Sequence, residues 1–256
     1  MQTSASLPAP LARNLRFVLV GTQHPGNIGA AARAIKTMGF GELALVAPER
    51  PPGDEAYRRA AGADDVLAAA RTTDTLAEAV ADCRHVLGCT ARSRRVSLEI
   101  FDPHQAGARL PAMAGDGPVA LVFGRERTGL FNEELELCHA AVHIPANPEY
   151  GSLNLAAAVQ VLAYEARMAG LAAGGNLGPE DRRDLASHDQ LEGLFGQLAE
   201  TLEQIDFHKG RAPESAMRKL RRLFVRSRLD EQEVRLLRGV LADAQRMARL
   251  ATKGPI

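Results

Sequence analysis

Four short stretches combine the residue types that hold polar or anionic ligands. "HPGNIGAAARAIKTMG" (24–39) sets Arg33 in a segment of otherwise small and apolar residues. "CTARSRR" (89–95) follows Cys89, Thr90 and Ala91 with Arg92, Arg94 and Arg95, and "FGRERTGL" (123–130) follows Gly124 with Arg125, Glu126 and Arg127. "IPANPEYGSLNL" (144–155) is rich in turn formers and opens an alanine-rich stretch with Gly151 and Ser152. Glycine lets a backbone approach a ligand closely. Arginine presents a fork of N–H donors that matches phosphate and carboxylate, and its pKa above about 12 keeps it from acting as a base. The first stretch is not a nucleotide fingerprint. Gly21, Gly26 and Gly29 give G-x-x-x-x-G-x-x-G with Pro25 inside, which defeats G-x-G-x-x-G, and G-K-[ST] is missing. On a helical wheel Ile28, Ala31, Ala32, Ile35 and Met38 share one face, and Arg33 projects about 140° from Ile28. Gly26 and Gly29 fall on the side of Arg33, leaving room for a ligand, with a plain surface arginine as the alternative. His24 and His143 are the conventional side chains for a general base, but no carboxylate stands in sequence to orient either.

These stretches need a scaffold. "RFVLVG" (16–21), "ELALV" (42–46), "HVLGCT" (85–90), "PVALVFG" (118–124) and "AVHIPA" (141–146) are short apolar runs bounded by glycine, proline or charge. They read as buried strands of a mostly parallel sheet. Helical stretches lie between them at 27–38, 54–61, 74–82, 103–113 and 132–139, so the fold class is α/β. All four ligand-type loops follow, or open from, the carboxyl ends of strands, where open α/β sheets bind ligands. A long helix from about 153 to 169 has small side chains that allow close approach of another backbone. "AAGGNLGPEDRRD" (172–184) reads as linker, and from Gln190 onward three amphipathic helices follow. Between Arg211 and Arg228 seven basic residues face one acidic residue, Glu214. Arg218, Lys219 and Arg222 in this basic helix suit an RNA backbone, with an ordinary solvated face as the alternative.

Lys plus Arg and Asp plus Glu are each 31, so no global field draws the chain to nucleic acid or anionic lipid. Cys83, Cys89 and Cys138 lack zinc or disulfide spacing and fit a reducing cytoplasm. "MQTSASLPAPLARN" has no apolar core of a signal peptide and reads as a frayed tail. No apolar run is long enough to span a membrane.

Taken together, "HPGNIGAAARAIKTMGF", "VALVFGRERTGLFNEELELCH" and "ANPEYGSLNLAAAVQVLAYE" resemble the three motifs of the SPOUT superfamily of methyltransferases, most closely its TrmJ-type tRNA (cytidine/uridine-2′-O)-methyltransferases. The resemblance covers residues 15–170. It implies a SPOUT-type parallel sheet with a C-terminal deep trefoil knot (1–171), a linker (172–188) and a helical RNA-binding appendage (189–256). It also implies S-adenosylmethionine as cofactor, no metal, a homodimer with the site near the interface, and as substrate the 2′-hydroxyl of the pyrimidine at position 32 of a tRNA anticodon loop. By motif the cofactor contacts fall on Cys89, Thr90, Ala91, Gly124, Ile144, Gly151, Ser152 and Leu153. Arg33 takes the position of the family's catalytic arginine, Ser152 is placed to orient the reacting hydroxyl, and Arg92 and Arg94 stand as phosphate clamps. Gly151 departs from the serine common in relatives. Two other readings compete: a ribosomal-RNA 2′-O-methyltransferase of the same superfamily, and a non-catalytic RNA-binding protein that keeps the fold.

Overall fold

The apolar runs form strands because each can bury both faces. The computed structural model describes residues 6–91, 98–173, 184–209 and 212–252, and the chain divides into two units, Met1–Arg182 and Arg183–Ile256. The first unit runs α1 (Ala9–Asn14), β1 (Leu15–Val20), α2 (Pro25–Thr37), β2 (Glu42–Val46), α3 (Asp54–Ala60), α4 (Asp64–Ala68), β3 (Arg71–Thr73), α5 (Leu76–Val80) and β4 (His85–Cys89). It continues through β5 (Glu99–Phe101), α6 (Pro103–Asp116), β6 (Val119–Phe123), α7 (Asn132–Glu136), β7 (Ala140–Val142) and α8 (Leu155–Ala173). The seven strands form one sheet in the order β3-β2-β1-β6-β4-β7-β5, and every pairing is parallel. β6 lies between β1 and β4, and β7 between β4 and β5. The late strands thus enter slots between earlier ones, an order compatible with a threaded C-terminal segment.

The period of two along each strand divides the apolar runs between two cores. Phe17, Leu19, Leu121 and Phe123 pack with Ile28, Ile35, Leu110 and Leu162 of α2, α6 and α8. Val18, Val20, Ala120 and Val122 pack on the opposite face with Leu76, Val80 and Leu135. The Phe17 and Phe123 rings stack at 6.4 Å across neighbouring strands. The α2 face expected from the wheel is the one that is buried: Ile28, Ala31, Ala32 and Ile35 lie in the core, with Met38 packed against it.

Glycines in the helices set how closely they cross. A Cβ on Gly29 would lie 1.9 Å from the Ala56 carbonyl oxygen of α3, and one on Gly107 of α6 would lie 2.9 Å from the Glu165 backbone of α8. A Cβ on Gly170 would lie 2.7 Å from Leu11 of α1. The small-residue faces of α2 and α8 are therefore occupied by other helices of the same chain. The open space expected beside Gly26 and Gly29 is filled by α3, since Gly26 borders Glu55 and Arg59.

Other elements depart from the sequence reading for local reasons. Residues 9–14, read as part of a frayed tail, form α1 and bury Leu11 completely. One leucine in a six-residue turn gives no period to detect. β3 and β5 have three residues each, and β3 is polar (Arg71, Thr72, Thr73). As the edges of the sheet they are short, as edge strands commonly are. β7 stops at Val142, not at 146, and residues 143–146 continue as non-strand backbone through Pro145.

The second unit holds α9 (His188–Gln204), α10 (Pro213–Ser227) and α11 (Glu231–Thr252). Ser187 and Gln190 form a capping box at the start of α9, satisfying two donors that the helix end leaves open. Leu191, Leu194, Phe195 and Val234 make its core, joined by Ala186. Residues 184–187, at the end of the stretch read as linker, belong to this unit through the Leu185–Asp230 bridge and the Ala186 N–H donating to Leu229. Residues 174–183 of the linker lie outside the described residues. α10 has no buried residue. Among the described residues no helix is long and apolar enough to cross a membrane.

Two glycines of the first unit should respond to alanine with opposite signs. Gly29→Ala forces α2 and α3 apart and should cost about 1–3 kcal/mol or more. Gly115→Ala, with nothing within 4 Å of the added carbon in α6, should stabilise by about 0.5–1 kcal/mol. Urea unfolding monitored on both variants checks the pair, and equal effects would contradict the packing described.

Candidate active site

The loops that follow β4, β6 and β7 converge on one cavity of about 360 Å³ at the carboxyl edge of the sheet. The register places them there: Cys89 pairs with Phe123 and with Val142, so three strand ends finish level. All eight residues matched to cofactor contacts line it: Cys89, Thr90, Ala91, Gly124, Ile144, Gly151, Ser152 and Leu153. Phe123, Leu130, Leu155 and Ala158 supply apolar wall. Nothing in the backbone demands glycine at 151. Its φ is not positive, and an added Cβ would meet only the Asn147 carbonyl oxygen at 3.3 Å.

The middle loop is a tight turn. Arg125 N–H donates to Gly129 O (3.3 Å) and Gly129 N–H to Arg125 O (2.9 Å). Gly129 sits at φ +68°, and a Cβ on Gly124 would lie 2.2 Å from the Gly129 backbone. Both positions need glycine. Arg125 reaches back to Glu134 of α7 with both guanidinium ends at 3.0 Å and lies 4.0 Å over the Phe131 ring. It also packs against Gly21 (φ +58°), where a side chain would collide with it.

Glu126 turns the other way. Its carboxylate accepts from the Gln23 N–H (3.0 Å), the His24 N–H (3.2 Å) and the Asn27 amide (2.8 Å). The anion at the start of α2 is thus the chain's own, which the partial positive charge of a helix N-terminus favours. The N–H groups of Gln23 and His24 are therefore committed within the chain. Partial burial opposes ionisation of Glu126, but the Asn27 amide and the Gln23 N–H outweigh it and hold the carboxyl below the ordinary glutamate range. Asn27 Oδ1 accepts from the Asn154 amide at 3.1 Å, and Asn154 Oδ1 accepts the Ala156 N–H at the start of α8. One chain of hydrogen bonds therefore joins α2, the 123–130 loop and α8.

The sequence reading gave Asn27, Asn154 and Glu126 no such role. The available signal was a polar residue in the first turn of α2, another just before α8, and a lone acid between two arginines. The tertiary pairing was not in it.

Other expected residues fall elsewhere. Arg33 is exposed and is not among the cavity-lining residues. Arg92 and Arg94 lie outside the described residues. Arg218, Lys219 and Arg222 are exposed on α10, together with Arg226 within an arc of about 100°. Arg221 of the same basic run is instead paired with Glu192 and lies 4.6 Å over the Phe195 ring. His143 Nδ1 lies 3.1 Å from the Thr90 carbonyl, and His24 serves as the N-cap residue of α2. Burial pushes the Cys89 thiol up to about 12, so it stays protonated near neutrality and offers surface, not a nucleophile. Among the described residues no group of His, Cys, Asp and Glu could hold a metal ion.

A parallel sheet with a glycine-built cavity at its carboxyl edge defines an α/β ligand-binding fold, and sequence comparison specifies which. The SpoU rRNA Methylase family model matches residues 14–164, and the model of the tRNA methyltransferase TrmJ C-terminal domain matches residues 189–253. The chain belongs to the SpoU methylase family, and within it to the TrmJ-type RNA methyltransferases. It is 48% identical to the tRNA (cytidine/uridine/adenosine-2′-O-)-methyltransferase TrmJ of Pseudomonas aeruginosa, across 92% of this chain and 95% of that one. It is 50% identical to the tRNA (cytidine/uridine-2′-O-)-methyltransferase TrmJ of Escherichia coli, across 91% and 96%. Among solved structures, TrmJ from Z. mobilis ZM4 superposes with a TM-score of 0.77 at 36% identity, covering 89% of this chain and 97% of that one.

The Glu126 network makes a stability prediction with a defined sign. A carboxyl whose folded pKa is depressed stabilises above its unfolded pKa and loses that contribution as pH falls through the folded value. Glu126→Gln should therefore destabilise by about 1–3 kcal/mol at pH 7. The gap to the parent should narrow below about pH 4.3, the ordinary glutamate value. Unfolding midpoints from pH 7 down to pH 3 test this, and a pH-independent gap would remove the carboxylate from the account.

Proposed function

We infer that the chain transfers a methyl group from S-adenosylmethionine to a ribose 2′-hydroxyl of tRNA, at the pyrimidine of position 32 in the anticodon loop. The observation that carries the reading is the convergence of all eight motif-matched residues on one cavity. The names of the full-length relatives support the tRNA substrate, and the TrmJ-type C-terminal match weighs against the ribosomal alternative.

The cavity fits the cofactor's chemistry. Bare backbone at Gly151 allows close approach, Phe123, Leu130 and Leu155 offer an apolar wall for a flat ring, and the 89–91 and 151–153 segments offer main-chain polar groups. S-adenosylmethionine supplies an electrophilic methyl when bound. The chain's part is to place the ribose oxygen in line with it, since fixed geometry lowers the barrier of a two-component reaction. Ser152 lines the cavity at the approach to α8 and orients the hydroxyl by a hydrogen bond. Arg33 holds a phosphate together with the ribose oxygen and stabilises the charge developing there. The proton passes to the phosphate or solvent, because an arginine cannot take it.

Arg33 does not border the cavity of its own chain, so the complete site needs a second copy. We read the enzyme as a homodimer in which Arg33 of the partner subunit serves each cavity. Ala157, Val161, Tyr164 and Met168 form a stripe on α8, with Tyr164 and Met168 48% and 45% exposed. Such a stripe suits an isologous contact. The basis for assembly is this exposed stripe and not the small-residue faces, which pack within the chain. The basic face of α10 contributes phosphate contacts that hold the tRNA.

Nucleoside mass spectrometry of tRNA incubated with enzyme and cofactor tests the reading, which fails if no 2′-O-methylated nucleoside forms at position 32. Arg33→Ala should lower single-turnover rate by about 10²–10³ with little change in cofactor affinity, and Arg33→Lys should restore only part of it. Co-expressed Arg33→Ala and Ser152→Ala chains test the shared site. Random pairing leaves roughly a quarter of sites intact if the residues meet across a two-fold interface, and none if they act within one chain.

A further inference from the structure

We propose that Arg127 holds an RNA backbone phosphate at the mouth of the cavity, beside the ribose to be methylated; the inference rests on the reading just given. Among the described residues three charged side chains line the cavity, and they are consecutive on one turn: Arg125, Glu126 and Arg127. The first two have their polar atoms committed elsewhere. Arg125 is held by Glu134 and Phe131, and Glu126 by Asn27, Gln23 and His24. Arg127 forms no hydrogen bond or ion pair with any of the described residues, and it is exposed while bordering the cavity.

That arrangement is selective. The paired Arg125 and Gly129 backbones and the left-handed Gly129 fix the turn from which Arg127 projects. The base of the side chain is therefore placed before any ligand arrives, which limits the ordering cost of binding. Arg125 and Glu126, the two residues before it in sequence, are anchored to α7 and to the start of α2, so the turn cannot swing to satisfy Arg127 internally. Its side chain is exposed and borders the cavity, where an incoming polyanion can meet it. A guanidinium matches two phosphate oxygens at once. Phosphate contacts of this type set the register of a nucleic acid without reading its sequence. A contact next to the reacting nucleotide would position the ribose, making Arg127 a positioning residue and not a participant in methyl transfer.

The test compares the full-length parent with Arg127→Ala and Arg127→Lys. Three quantities are read: equilibrium binding of tRNA at several salt concentrations, kcat against KM for tRNA, and S-adenosylmethionine affinity by calorimetry. For Arg127→Ala the expected result is tRNA affinity weakened about tenfold, the loss of one charge-assisted contact. KM should rise in proportion, with kcat at saturating tRNA within about twofold, as for a uniform-binding contact. The slope of log affinity against log salt should fall by about 0.7–0.9, the value for one phosphate. Arg127→Lys should recover the slope, which a merely structural role would not produce. Unchanged tRNA affinity and slope in Arg127→Ala overturn the proposal. So does a loss of cofactor affinity with tRNA binding intact, which would assign Arg127 to the cofactor's carboxylate. The binding measurements do not require turnover, so a parent that binds tRNA but leaves its 2′-hydroxyls unmethylated fails the functional reading alone.

Discussion

The site depends on one carboxylate. Glu126 collects the N–H groups at the start of α2 and the Asn27 amide, and Asn27 passes the connection to Asn154 at the start of α8. A charge-assisted network of this type is directional, so it fixes angles and not only distances. Three loops that leave separate strands are thereby held in one geometry. Two of them, those after β6 and β7, border the cavity together with the loop after β4.

Glycine makes that geometry possible in two different ways. Gly124 and Gly129 let the 123–130 loop fold back on itself, one by bare backbone and the other by a positive φ. Gly29, Gly107 and Gly170 act away from the cavity by letting helices cross at backbone contact. The second group sets the positions of α2 and α8, whose first turns carry Asn27 and, just before it, Asn154. Helix packing and loop chemistry are therefore coupled: a shift of α2 by one side-chain radius would break the contacts to Glu126.

The distribution of charge follows the same logic. Some arginines are already matched: Arg125 with Glu134 at the cavity and, within the second unit, Arg221 with Glu192. Those left facing solvent are the ones free to meet a polyanion. A chain with equal numbers of acids and bases can still present local groups of unmatched cations, which a neutral total does not reveal.

Much of this was legible in the sequence. The continuous apolar runs of β1, β4 and β6, split by glycine and proline, specified a buried parallel sheet. The spacing of Ile28, Ala31, Ala32 and Ile35 specified the buried face of α2. The residues from Cys89 to Leu153 were reached through the motif resemblance, and the fold brings them to one cavity. What the sequence could not determine were pairings between distant residues. Glu126 is 99 positions from Asn27, and Asn27 is 127 from Asn154. No local period or propensity links them, because each contact forms only after the sheet has aligned three strand ends. For the same reason α1, β3 and β5 escaped notice, since elements of three to six residues draw their stability from the surface they dock on. Gly29 shows the limit most clearly. Its position on the helix was readable, but whether the space beside it held a ligand or a neighbouring backbone was decided by α3 alone.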